Sequence, residues 1–189
     1  MMNVQNKSPR KIYVVCHCIL NPASKVDAAY SKELADEEQL RQTFLNLVQE
    51  QEICLLQLPC PEFMMYGPLR WGHVKDQFSH SFFREQCRQM LAPILCQLKE
   101  YAAHPNRFEL LGIVGINGSP SCGVTLTCKG EWGGEFGQQP TIPSVHMKSE
   151  SGVFIEELQI LLKEHQLAVP IVALDDALIK SLQIDKIYK

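Results

Sequence analysis

The chain has 189 residues, eight cysteines and a formal net charge of −3, and 46% of its residues are hydrophobic. A chain of this length buries about 70% of its unfolded surface, so we expect a single domain over residues 1–189, with a flexible stretch at 1–10. The charge argues against a nucleic-acid polymer as partner, and no apolar run approaches the roughly 20 residues of a membrane helix. Since the first residues also lack the apolar core of a secretion signal, we expect a cytoplasmic protein without a membrane partner.

Strand-like and helical patterns alternate along the chain. In order, the predicted elements are a strand at 12–15, a loop at 18–31, a helix at 37–50, a strand at 52–58, a loop at 60–73, a helix at 75–103 kinked at Pro93, a strand at 108–116, a Gly/Ser/Pro-rich stretch at 117–149, a helix at 152–167, a strand at 169–174 and a last helix capped by Asp175 and Asp176. The 117–149 stretch is long for a structureless loop, which indicates a functional segment or a small hairpin containing Cys128. The alternation predicts an α/β fold, a Rossmann-like three-layer sandwich with a mostly parallel sheet of about four strands.

Cys18, Cys60 and Cys122 each follow one of the predicted strands, and we call them the strand-end cysteines. If their strands are parallel neighbours, the three thiols converge at the carboxyl edge of the sheet, the usual ligand crevice of open α/β folds. Three thiolates are more than a lone nucleophile needs and one fewer than a closed all-cysteine zinc site has. The pattern therefore predicts a cofactor held by three cysteines with one coordination position open.

The remaining cysteines have other contexts. Cys54, Cys87 and Cys96 lie within apolar-periodic segments, where a thiol behaves as a small hydrophobe, so we expect them in the core. Cys16 ends the first strand and either flanks Cys18 or points away from it. A reducing compartment disfavours disulfides among any of the eight.

Four ordered blocks of the chain resemble the 2-thiouracil desulfidase family: CHCILN followed by KV, then PCPE, GSPSCG and GVFIEEL. The resemblance spans about Val14 to Leu174. It implies a 4Fe–4S cluster held by the strand-end cysteines, with its fourth iron free. It also implies the substrate, a thiolated nucleobase or similar small molecule whose thiocarbonyl sulfur binds that iron, is replaced by water and leaves as sulfide via the cluster. The first block contains both Cys16 and Cys18, and the alignment selects Cys18 as the ligand.

Three polar residues beside these cysteines are candidates for the chemistry. Glu62 lies two residues after Cys60 at a strand end, and we expect it to act as acid and base; the alternative is a helix-capping or Arg-paired carboxylate. The resemblance favours Ser119 as a second catalytic group that binds substrate or positions water. Ser121 is a possible pocket residue, or a side chain that satisfies the backbone of its turn.

The loop after Glu62 is rich in aromatic residues, and Tyr66, Arg70 and His73 form a possible substrate pocket there. Such a loop could stack a planar base, or be a surface loop packed by its own aromatic rings. Two other functions use the same cysteines. One is a non-catalytic metal, iron–sulfur or sulfur carrier, which would not need Glu62 and Ser119. The other is a hydrolase with Cys122 as nucleophile, which requires a histidine bonded to that thiol.

Overall fold

The structure is a computed structural model that describes residues 8–27, 31–131, 133 and 144–187. Most of the stretch predicted to be flexible, 1–7, lies outside the described residues. The elements are β1 Arg10–Val15, α1 His17–Leu20, α2 Lys32–Glu50, β2 Cys54–Gln57, α3 Pro61–Tyr66, α4 Lys75–Phe78, α5 Ser81–Ala103, β3 Phe108–Gly115, β4 Thr127–Lys129, β5 His146–Lys148, α6 Val153–Glu164, β6 Ile171–Ala173 and α7 Asp176–Ile187, with a 3-10 turn at Pro22–Ser24.

Four strands form a parallel sheet in the order β2-β1-β3-β6. Helices flank this sheet, and they pack in two pairs, α2 with α7 and α5 with α6. The predicted Rossmann-like α/β sandwich is confirmed. The sheet interior lies in β1 and β3, where Val14, Val15, Ile113 and Val114 have no exposed surface.

The stretch at 117–149 contains the antiparallel pair β4–β5, so the predicted hairpin with Cys128 as a strand residue is confirmed. Asp175 also caps the last helix as predicted, because its Oδ1 accepts the backbone N–H of Leu178 at 3.0 Å. No helix among the described segments combines the length and apolar character needed to cross a membrane.

Two helix predictions were wrong in their boundaries. The helix predicted at 75–103 is two helices, because the His80 ring accepts the N–H of Phe83 and starts α5 afresh, whereas Pro93 lies within α5. The loop predicted at 60–73 begins with α3, because Pro61 occupies the first helical turn and Cys60 accepts the N–H of Phe63.

The core assignment of three cysteines was right only for Cys87. Cys87 has no exposed surface, but Cys54 and Cys96 are exposed. Cys54 begins β2, an edge strand with one neighbour, so its periodicity did not imply burial on both faces. All eight cysteines lie within described segments, and all are free thiols.

Candidate active site

The strand-end cysteines lie at one edge of the sheet because β2, β1 and β3 are adjacent and parallel. β1 runs into α1, which carries Cys18; β2 leads to Cys60 at the start of α3; β3 leads to the turn that carries Cys122. Cys122 is buried, and the other two are partly buried. The predicted convergence of three segments that are distant in sequence is therefore present in the fold.

Electrostatic coupling shows that these thiols are neighbours. Burial raises the pKa of Cys18, and the charges of Cys122 and Cys60 raise it further. Burial and the charge of Cys122 raise the pKa of Cys60 to about 11, although the N–H of Phe63 opposes this shift. Without a bound cation these thiols keep their protons near neutral pH, so any metal that binds here must displace them.

Cys16 lies beneath the same edge and contacts Cys122. A hydrogen bond with Cys16 and burial raise the pKa of Cys122 well above its ordinary value. Cys16 has no exposed surface, whereas Cys18 is partly exposed and feels the charges of both other strand-end cysteines. Cys16 therefore flanks the group on its interior side, and Cys18 as the first ligand stays a prediction.

The turn that carries Cys122 is fixed by the Ser119 hydroxyl. Its Oγ accepts the N–H of Cys122 at 3.0 Å and the N–H of Ser121 at 3.3 Å. The turn also packs closely against the start of α6, since a Cβ at Gly152 would lie 2.5 Å from the carbonyl of Ser121. The N–H of Phe154, in the first turn of α6, donates to that carbonyl at 3.0 Å. Hydrogen bonds and close packing thus hold Cys122 in place.

Glu62 is 8% exposed and lies between the cysteines and the following loop. The Ser121 hydroxyl donates to its Oε1 at 2.6 Å, and the same hydroxyl is 3.5 Å from the sulfur of Cys122. Its Oε2 is 3.7 Å from Nε of Arg70, too long for a hydrogen bond. A carboxylate with one oxygen held and the other without a short contact is suited to exchange a proton with a ligand.

The aromatic residues of the next loop stack against the core. The ring of His73 is 4.9 Å from both Tyr66 and Phe78, and Phe78 lies 4.3 Å from Phe83 with nearly parallel planes. Burial lowers the pKa of His73, which keeps the imidazole neutral near pH 7. Tyr66 ends this stack and is 40% exposed, whereas Trp71 is 71% exposed.

The structure brings together Glu62, Arg70, Ser121 and the strand-end cysteines. It gives Ser119 the turn-satisfying hydrogen bonds that had been considered for Ser121, and it joins Ser121 to Glu62; a catalytic role for Ser119 stays a prediction. Sequence analysis missed Cys87, whose pKa is raised to about 12 by burial and by the charge of Cys122. No local pattern distinguishes such a neighbour, because its proximity depends on how α5 packs.

The donor set fits an iron–sulfur cluster better than a single ion. Among the described residues, no three histidine, cysteine or carboxylate side chains are grouped closely enough to hold one metal ion. In a four-iron cluster each cysteine ligates a separate iron, so the cysteines need not share one coordination sphere. Three free, electrostatically coupled thiols at adjacent strand ends meet that requirement.

A family described as "Putative 2-thiouracil desulfurase" matches residues 10–138 of the chain. This chain belongs to that family. The resemblance identified from the sequence blocks is thus confirmed, and the matched range contains Glu62 and all three strand-end cysteines.

A relative of this desulfurase-family chain is the uncharacterized protein MJ0003 of Methanocaldococcus jannaschii. It is 31% identical over 115 residues, which cover 61% of this chain and 69% of the relative. No solved structure matches the chain. The family assignment therefore rests on the family match and this relative.

Proposed function

We propose that this protein is a desulfidase that replaces the sulfur of a thiocarbonyl with oxygen, in a thiolated nucleobase or similar small molecule. Cys18, Cys60 and Cys122 would hold a 4Fe–4S cluster for this purpose. When bound, the cluster supplies a thiophilic iron with an open coordination position, a Lewis acid for the substrate sulfur. The observation that supports this most is the convergence of these cysteines at one sheet edge in a chain of the desulfurase family.

The protein's own residues then handle water and protons. Ser121 fixes the Glu62 carboxylate through Oε1, which leaves Oε2 to accept a proton from the water that attacks the thiocarbonyl carbon. The new bond joins the water oxygen to that carbon as the carbon–sulfur bond breaks. The proton held on Oε2 can pass to the departing sulfur, which leaves as sulfide without any net oxidation or reduction.

Two observations favour this enzyme over the other uses of the same cysteines. A buried carboxylate held by Ser121 and faced by Arg70 has a role in proton transfer but none in a metal or sulfur carrier. The hydrogen bond with Cys16 and burial raise the pKa of Cys122, so that thiol holds its proton. This protonation disfavours a hydrolase with Cys122 as free nucleophile.

Anaerobic reconstitution followed by a sulfide-release assay tests the proposal. The wild-type protein should take up about four irons and four sulfides and release sulfide from 2-thiouracil. Glu62→Gln should keep its iron and lose about 10²- to 10⁴-fold in turnover, the usual range for a general base. Glu100→Gln, at a site that is 80% exposed, is the matched control and should behave as wild type.

Three results would count against the proposal. A wild-type protein that takes up no iron anaerobically has no desulfidase centre of this kind. Iron-loaded protein that hands its metal to an acceptor without any turnover would point to a carrier. Full activity in Glu62→Gln would remove Glu62 from the reaction.

A further inference from the structure

Arg70 is a buried cation with one donor left unused. Its side chain is only 3% exposed. Nη1 donates to the carbonyl of Gly67 at 3.1 Å, and Nη2 donates to the carbonyl of Ser24 at 2.7 Å. Nε is buried and has no hydrogen-bond partner among the described residues. An unpaired buried donor is costly, so its persistence indicates a partner that arrives from outside the chain.

The position of this donor places it in the candidate active site. Nε lies 3.7 Å from Oε2 of Glu62, the carboxylate oxygen not taken by Ser121. The charge of Arg70 also acts on the thiol of Cys60 and on the ring of His73. The unused N–H is therefore beside the carboxylate, one strand-end cysteine and the aromatic stack.

The local charge balance indicates what kind of group this donor takes. The positive charge of Arg70 already faces the negative charge of Glu62 in a buried site, so an additional anion would have to be compensated. A neutral acceptor such as a carbonyl oxygen satisfies the N–H without upsetting that balance. The exposed Tyr66 ring at the end of the aromatic stack offers a surface for a planar heterocycle.

We propose that Arg70 is a specificity-determining residue whose Nε–H binds a neutral carbonyl oxygen on the substrate ring, separate from the reacting thiocarbonyl. The inference rests on the proposed function, since it assigns the second polar group of that substrate. The site would thus prefer thiolated heterocycles that also carry an oxo group. A ring without the oxo group would leave the buried donor unpaired, which is how such sites reject analogues.

Calorimetric binding tests this inference without turnover, on the purified full chain with its iron content measured. The two probes are uracil and pyrimidin-2-one, which lacks the second oxo group. Wild-type protein should bind uracil about 10- to 100-fold more tightly than pyrimidin-2-one. Arg70→Lys should bring the two affinities within about threefold, because lysine has no fixed planar donor at that position. Arg107→Lys, at an exposed site, should retain the wild-type ratio.

Equal affinity of the wild-type protein for the two probes, or no binding of uracil at millimolar concentration, would overturn the inference. The wild-type comparison does not depend on whether Arg70→Lys folds. Sulfide release from 2-thiouracil and pyrimidine-2-thione separates the two proposals. Release at equal rates from both would refute the role of Arg70 and support the proposed function, whereas Arg70-dependent binding of uracil by protein that releases no sulfide would do the reverse.

Discussion

Ser119 and Ser121 flank a single proline, yet their hydroxyls do different work. Ser119 turns inward to the backbone and holds the N–H groups of Ser121 and Cys122. Ser121 turns to Glu62, which it contacts at 2.6 Å. Ser119 therefore supports the local fold, and Ser121 orients the proposed catalytic carboxylate.

Paired alanine substitutions test this division. Ser121→Ala should lower the turnover of the loaded protein about tenfold with little change in melting temperature, since Glu62 loses one positioning hydrogen bond. Ser119→Ala should lower the free energy of unfolding by about 1–2 kcal/mol, because buried N–H groups of the turn lose their acceptor. Thermal melts and sulfide-release kinetics of both variants measure the two effects. The reverse pattern, with the larger kinetic loss in Ser119→Ala, would assign catalysis to Ser119.

The strand-end cysteines could be predicted from the sequence because each follows an apolar run, and the order of parallel strands then decides where they meet. The hydroxyl contacts could not be predicted, because they depend on the path of a turn whose local sequence, SPSCG, suits several geometries. Cys16 was left with two orientations for a similar reason. Alternation along β1 fixes its face, but only the packing of β3 shows that Cys122 lies on that face.

At the scale of elements, α6 supports the turn that carries Cys122. The helix begins at Val153, directly after Gly152, and Gly152 lies against the carbonyls of Pro120 and Ser121. Arg84 and Arg88 of α5 bind Glu157 of α6 at 2.8 Å and 2.6 Å, which fixes the helix laterally. The position of Cys122 thus depends on a contact with a segment that lies outside the range matched by the family.

A methyl group at Gly152 should displace this turn. A Cβ there would meet backbone atoms at 2.5 Å and 2.9 Å, which cannot be relieved by a side-chain rotation. We expect Gly152→Ala to lose about 1–3 kcal/mol of stability and to bind less iron on reconstitution. Gly72→Ala is the matched control, because a Cβ at Gly72 would meet nothing within 4 Å. Normal iron content in Gly152→Ala would show that the turn adapts.

Most elements were predictable from periodicity, including the four strands of the parallel sheet and the hairpin. The break between α4 and α5 was not, since Lys75–Ala103 has a continuous apolar pattern and the interruption comes from a histidine acting as a helix cap. α3 was also missed, because a helix of one or two turns has too few residues to show a period.

At the scale of the whole molecule, the burial of thiols predicts sensitivity to alkali. The pKa of Cys87 is raised from its ordinary value of 9.0 to about 12, chiefly by burial. The folded protein therefore keeps a proton that the unfolded chain releases above pH 9. A group with a raised pKa stabilises the fold fully below its unfolded value, and this contribution is lost as pH rises toward the folded value.

Chemical denaturation across the alkaline range measures this effect. The free energy of unfolding should fall above about pH 9, and Cys87 should account for about 1.4 kcal/mol per pH unit of that fall. Cys87→Ala should make the fall shallower by this amount, even if the variant is less stable at every pH. Cys54→Ala, which removes an exposed thiol, serves as the control. Identical slopes in wild type and Cys87→Ala would contradict the expectation.

The position of β2 at the border of the sheet has a consequence for how a cofactor would be kept. β2 spans only Cys54–Gln57 and pairs with β1 alone among the described strands. Peripheral strands fray more readily than interior ones, and Cys60 follows this one directly. A cluster bound to all three cysteines would tie the periphery to the sheet interior like a cross-link. Its release would begin at Cys60, the ligand attached to the most easily opened strand.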